Sequence, residues 1–194
     1  MFGIPMVPHQ LGDWVRTQGD KLLIVNFIGT AATGVFSVGQ QLALAMLILI
    51  TSLNKALYPS LYQILSSKPD ADRKKLVVKN SYQIALSMVF IGVIGIILTP
   101  VFYPYLLGKD FQSASSITQL IIIAMIFESF YYLVVNYIFY EKKTAILAKI
   151  TFSVALFHMT LSYFVVSILG ADFYAIAYSM ILSSFIQFLL VWWF

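Results

Sequence analysis

Residues 117–140 read ITQLIIIAMIFESFYYLVVNYIFY, an apolar run with one formal charge, Glu128, near its centre. Coiled as a helix at ~1.5 Å per residue it is about 36 Å long, more than the ~30 Å hydrocarbon core of a bilayer. Working outward from it, five more stretches have the same character, at about 8–28, 35–65, 76–98, 144–169 and 173–194. The six take up nearly all of the 194 residues, and most charges fall between them. The expected fold class is all-α integral membrane, a six-transmembrane-helix bundle forming a single membrane domain over 1–194.

Composition fits that class. Hydrophobic residues make up 60% and charged residues 10%, with a mean hydropathy of +0.88. A soluble domain carries about 25% charged residues. The apolar runs are continuous, whereas barrel strands alternate, so helices are expected. No cysteine is present, which excludes disulfides and thiolate metal sites, and two histidines leave little for any other metal centre. There is no phosphate-binding loop, nucleophile elbow or zinc-protease motif, and no cofactor is implied. The reading is therefore not an enzyme. The start has neither a basic n-region nor a cleavage site, so no signal peptide is expected.

The net charge of +4 is a matter of topology and not of nucleic acid. Lys68, Arg73, Lys74, Lys75 and Lys79 cluster in the stretch 66–79, at and just after one connection, and Lys142, Lys143 and Lys149 in the stretch 141–149, at and just after another. The alternate connections offer Lys109 as their base. Basic loops stay in the cytoplasm. Six spans then put both ends of the chain on the cytoplasmic side. Pro100 is expected to stop the third helix, with 101–116 as a connection.

The main exception to charge-free spans lies in the first. His9, Asp13, Arg16 and Asp20 are spaced by four, three and four residues, which places them on one helical face. Arg16 and Asp20 are an i,i+4 pair, and Lys21 follows about 100° round the helix. Gly12 and Gly19 are expected to interrupt this helix, freeing backbone to line a cavity. Two readings stand: a structural ion pair holding the bundle, or a cationic site facing a cavity. Ionisable groups inside a membrane cost enough to make a functional pathway the default.

Further polar groups sit in the other spans. Gln40 and Gln41 are candidates to face the same cavity. Lys55 either joins them or snorkels to the headgroups. Glu128 either carries a coupling proton or pairs with Arg16 or Lys21. Asn136 and His158 read as interhelical hydrogen-bonding groups, and Gly92, Gly95, Ala175, Ser179 and Ser183 as close-packing positions.

Several segments resemble a known group. These are Phe2-Gly3-Ile4-Pro5-Met6-Val7-Pro8-His9, Trp14, Asp20-Lys21, Gly29, Thr33-Gly34-Val35-Phe36-Ser37, Gln41-Leu42 and Ala56-Leu57-Tyr58-Pro59. Further on come Leu106-Leu107-Gly108-Lys109-Asp110-Phe111, Lys142-Lys143-Thr144 and the stretch from Gly170 to Ala177. In this order they resemble the second half of bacterial polysaccharide flippases, the Wzx-type O-antigen group of the superfamily that includes MATE efflux transporters. The family commonly has Asp-Arg where this chain has Asp20-Lys21, a swap that keeps the charge and loses the guanidinium fork.

The resemblance implies one lobe of a two-lobe flippase, the C-terminal half, whose partner would be the missing N-terminal lobe. It implies transport of a lipid-linked oligosaccharide, on a polyprenyl diphosphate, across the bacterial cytoplasmic (inner) membrane. Substrate-binding candidates are then Arg16, Lys21, Asp20, Gln40, Gln41 and Lys55, with Glu128 and Asp20 for ion coupling. The partners are this lipid-linked substrate, membrane lipids and the other lobe. A MATE-like ion-coupled exporter and a non-transporting fragment or assembly partner are the alternatives.

Overall fold

The computed structural model describes residues 6–67, 70–106 and 111–193. Among them are six helices and no strand: α1 (Met6–Phe27), α2 (Thr30–Ser67), α3 (Asp70–Leu106), α4 (Gln112–Tyr140), α5 (Thr144–Tyr163) and α6 (Phe173–Trp193). A π turn, Phe164–Ile168, continues α5. Expectations that fall on residues 2–5, 68, 107–110 and 194, Lys68 and Lys109 included, lie outside the described residues. Five helices, α2 to α6, are long and apolar enough to cross a membrane. The protein is a multi-pass membrane protein. α1 falls short of that composition because Asp13, Arg16, Asp20 and Lys21 share its 22 residues.

Two sequence expectations are corrected. Pro100 does not end the third helix; α3 runs on through Pro100 and Pro104 to Leu106. A proline in a helix removes one N–H and leaves the carbonyl four residues back without its donor. Here that carbonyl belongs to Ile96, and Gln119 of α4 donates its Nε2–H to it at 3.0 Å. The neighbouring helix supplies what the proline lacks. Nor do Gly12 and Gly19 interrupt α1, which is continuous from Met6 to Phe27. They let it approach α5: a β-carbon on Gly12 would lie 3.4 Å from that of Ala155, and one on Gly19 2.5 Å from the Met159 sulfur.

α4 is the central helix, packed against α2, α3 and α6, while α1 packs on α5 and α5 on α6. The contact between α1 and α2 is slight. The largest apolar core joins Ile117, Ile121 and Met125 of α4 to Phe36 and Ala43 of α2, Ile24 of α1 and Ile176 of α6. Gly92 fits against Ile126, where a β-carbon would come within 2.5 Å. Among the described residues backbone bonds close the turns; after α1, Gly29 N–H donates to Ile24 at 2.9 Å. After α4, Lys143 N–H donates to Ile138 at 3.1 Å and Lys142 adopts φ 58°. After the π turn, Ala171 N–H donates to Val165 at 3.0 Å with Gly170 at φ 63°, a conformation that suits glycine.

The outer face of α3 marks the membrane. Leu86, Phe90, Val93, Ile97 and Val101 are exposed at helical spacing between Tyr82 (74% exposed) and Tyr105 (86%). Tyrosines favour the two membrane interfaces. The rise from Tyr82 to Tyr105 is about 35 Å, close to the hydrocarbon thickness. The midpoint falls beside Gly92.

Candidate functional site: a charged cavity inside the bundle

Among the described residues polar side chains meet at several buried places, and three of these hold polar groups singled out in the sequence. Nearest the basic end, Asn136 Nδ2–H donates to Asn54 Oδ1 at 3.0 Å, tying α4 to α2. Between α1, α5 and α6, Asp20, His158 and Ser183 are all fully buried. His158 Nε2 lies 2.9 Å from Asp20 Oδ1, and its Nδ1 lies 3.2 Å from Ser183 Oγ. These are the residue types of a hydrolytic triad. Ser183 nonetheless has no exposed surface, and its hydroxyl also donates to the Met180 carbonyl at 3.0 Å. A triad needs its nucleophile open to substrate, so this trio is a structural tie.

The third place is a cavity of about 180 Å³, lined by Asp13, Arg16 and Thr17 of α1, Gln40, Leu44 and Leu47 of α2, Met125, Glu128 and Tyr132 of α4, and Met180 of α6. Arg16 is 8% exposed. Its Nη1–H donates to Gln187 Oε1 and its Nη2–H to Ser184 Oγ, each at 2.8 Å. Nη2 also stands 3.6 Å from Glu128 Oε2, an ion pair without hydrogen-bond geometry. Tyr132 OH reaches Glu128 Oε1 at 3.4 Å. Asp13 is half-exposed, 3.6 Å from His9, whose Nδ1 is 3.0 Å from Thr151 Oγ1. Gln40 is buried, and its Oε1 has no hydrogen-bond partner among the described residues. The lining thus holds two carboxyl groups, one guanidinium and a free amide oxygen.

Depth follows from α3 and α4. Gly92 faces Ile126, and Ser81 Oγ is 2.7 Å from Tyr137 OH. Interpolated between these contacts, Glu128 lies about 5 Å from the midpoint of the Tyr82–Tyr105 stripe. The pair is therefore deep in the apolar slab, where charge is costly.

The helical spacing on α1 placed Arg16 and Asp20 on one face, but they do not pair with each other. Asp20 goes to His158 and Arg16 to Glu128. Arg16, Gln40 and Glu128 come together at the cavity; Asp20, Lys21, Gln41 and Lys55 are not in its lining. Gln41 and Lys55 are exposed, and Lys21 is half-buried. Ile50 packs with Ile84 and Met88, which sets Lys55 near the depth of Tyr82, a position from which a lysine snorkels. Sequence reasoning missed Ser184 and Gln187. Their signal was present: polar side chains recur at 179, 183, 184 and 187 in an otherwise apolar α6.

Residues 1–116, more than half of the chain, match a family described as polysaccharide biosynthesis protein. The chain belongs to that family. Among similar members of the protein world, protein 1 of the Lsg locus of Haemophilus influenzae is 29% identical over 152 residues, 76% of this chain and 36% of that protein. An uncharacterized membrane protein of the same organism is 27% identical over 143 residues, 74% of this chain and 35% of that protein. This member of the polysaccharide biosynthesis family thus spans little more than a third of the relatives it matches. No solved structure matches.

Proposed function

We propose that the chain is half of a flippase that moves a lipid-linked oligosaccharide across the cytoplasmic membrane, as a six-span lobe facing a second lobe. The observation that carries this reading is the Arg16–Glu128 pair in a cavity near the bilayer midplane, in a polysaccharide biosynthesis family protein. A cavity of about 180 Å³ has the volume of roughly six waters, enough for a phosphate or part of one sugar and far too small for an oligosaccharide. A second wall is needed. The slight packing between α1 and α2, both of which line the cavity, and the short span relative to the relatives support one.

The chemistry follows from the pair. Arg16 in the resting arrangement is held by Glu128, Gln187 and Ser184. Proton uptake by Glu128 cancels its attraction for the guanidinium. Arg16 then turns to the diphosphate, which it binds through two N–H bonds in fork geometry. Gln40 Oε1 accepts from a sugar hydroxyl. Release of the proton on the other side restores the ion pair and expels the anion, while the lobe rocks against its partner. The start of α3 with its exposed Lys74 and Lys75, and the α4–α5 connection with Lys142 and Lys143, face the cytoplasm in this reading.

A small-cation exporter is the competing reading, favoured by the two carboxyl groups, Asp13 and Glu128, in the lining. The experiment is complementation of a cell lacking its O-antigen flippase. The chain is expressed alone and with a matching N-terminal lobe. Surface glycan restored with both lobes is the expected result. Resistance to organic cations without surface glycan favours the exporter, and neither activity with several matched lobes sinks both transport readings.

A further inference from the structure

The lipid-facing stripe of α3 extends beyond Tyr82. At the same three- and four-residue spacing it reaches Lys79 and then Lys75, both exposed. Along the helix axis Lys79 stands about 4.5 Å and Lys75 about 10 Å outside Tyr82. The interfacial layer on each side of a bilayer is about 5–8 Å thick. Two ammonium groups on flexible stems therefore reach the level of the lipid phosphates, on the face of α3 that the acyl chains cover below.

The charges around them leave an excess. Asp72 is exposed three residues further out on the same face and offsets part of Lys75. Lys74 is exposed on the adjoining face, Arg73 is half-buried and already engaged, and Lys55 of α2 lies near the depth of Tyr82. At the other end of the stripe, around Tyr105, no basic side chain is present among the described residues. The geometry points to Lys75 and Lys79, seated above Tyr82, as a binding site for the headgroup of an anionic phospholipid. The lipid phosphate is chelated by the two ammonium groups, and its acyl chain lies along Tyr82, Leu86 and Phe90. A zwitterionic headgroup brings its own cation to the same place and gains less. The site is independent of what the cavity transports.

The test uses the chain's lack of cysteine. Leu86→Cys, at an exposed position in the stripe, carries a fluorophore, and the full chain is reconstituted in vesicles. Brominated phosphatidylglycerol and brominated phosphatidylcholine are compared as quenchers at equal mole fraction. Phosphatidylglycerol is expected to quench more strongly, with relative affinity falling about fivefold for each lysine in Lys75→Gln and Lys79→Gln. Lys75→Arg with Lys79→Arg keeps the preference, and 0.5 M salt weakens it. Equal quenching by both lipids in the parent protein overturns the site. So does a preference that survives the double glutamine variant, or one lost instead on Lys142→Gln with Lys143→Gln.

Discussion

Arg16 and Glu128, on helices that are not chain neighbours, face each other at 3.6 Å across a cavity near the middle of the apolar slab. Removing one partner of such a pair strands the other. Arg16→Gln is expected to lower stability in detergent by about 3 kcal/mol, since breaking a buried pair costs ~3–5 kcal/mol and the cavity side of Glu128 is partly open. Arg16→Gln with Glu128→Gln is expected to recover most of it. Thermal unfolding of the single and double variants measures the coupling, and additive losses would deny that the two residues interact.

Asp20 and His158 make a closer and fully buried contact. His158→Leu leaves the carboxyl without its partner and is expected to cost ~3 kcal/mol or more, or to abolish folded protein. Asp20→Asn keeps a hydrogen-bonding partner for His158 and costs about half as much. The yield of monodisperse protein after detergent extraction ranks the two. An Asp20→Asn variant as damaged as His158→Leu contradicts this account.

The Gln119 bond to Ile96 predicts an unusual dependence on a proline. Gln119→Leu leaves the Ile96 carbonyl bare and is expected to cost about 1–2 kcal/mol. With Pro100→Ala in the same chain, the residue at 100 regains its N–H and can bond that carbonyl along the helix. Gln119→Leu should then be nearly neutral. Equal losses in the two backgrounds count against the compensation.

Glycine positions separate by what a β-carbon meets. At Gly39 it would lie 2.7 Å from Ile117 Cγ2 and 3.2 Å from the Ala114 carbonyl, which is fixed backbone. At Gly19 it meets only the flexible end of Met159. Gly39→Ala is expected to cost ~1–3 kcal/mol by overpacking, and Gly19→Ala less than 1 kcal/mol. Melting temperatures of the two variants check the order.

The helices were legible because an apolar run of membrane length has few other uses. The first span was legible through its 4-3-4 spacing, which put the right groups on one face. Glu128 was already one of the partners open to Arg16, but the choice between it and Asp20, four residues away, depends on how α1 and α4 lie, and the pairing of Asp20 with His158 was not visible in the chain. Pro100 was misread as a stop because its missing N–H is visible in the chain whereas the compensating Gln119 is a property of packing. Gly12 and Gly19 were misread as breaks for the same reason, since their use is the approach of α5. Gln41 looked like a cavity residue by type, and only the rotation of α2 sends it outward, while Lys55 is exposed, as its snorkelling reading has it.

The most direct test separates a transport site from a structural ion pair. Arg16→Gln with Glu128→Gln removes both charges and is expected to fold. It is combined with the matching lobe in cells lacking their flippase, and surface glycan is measured against the amount of folded protein. The account predicts near-normal protein with export reduced at least tenfold. Export that persists in the neutral double variant would contradict it and leave Arg16 and Glu128 as a tie between helices.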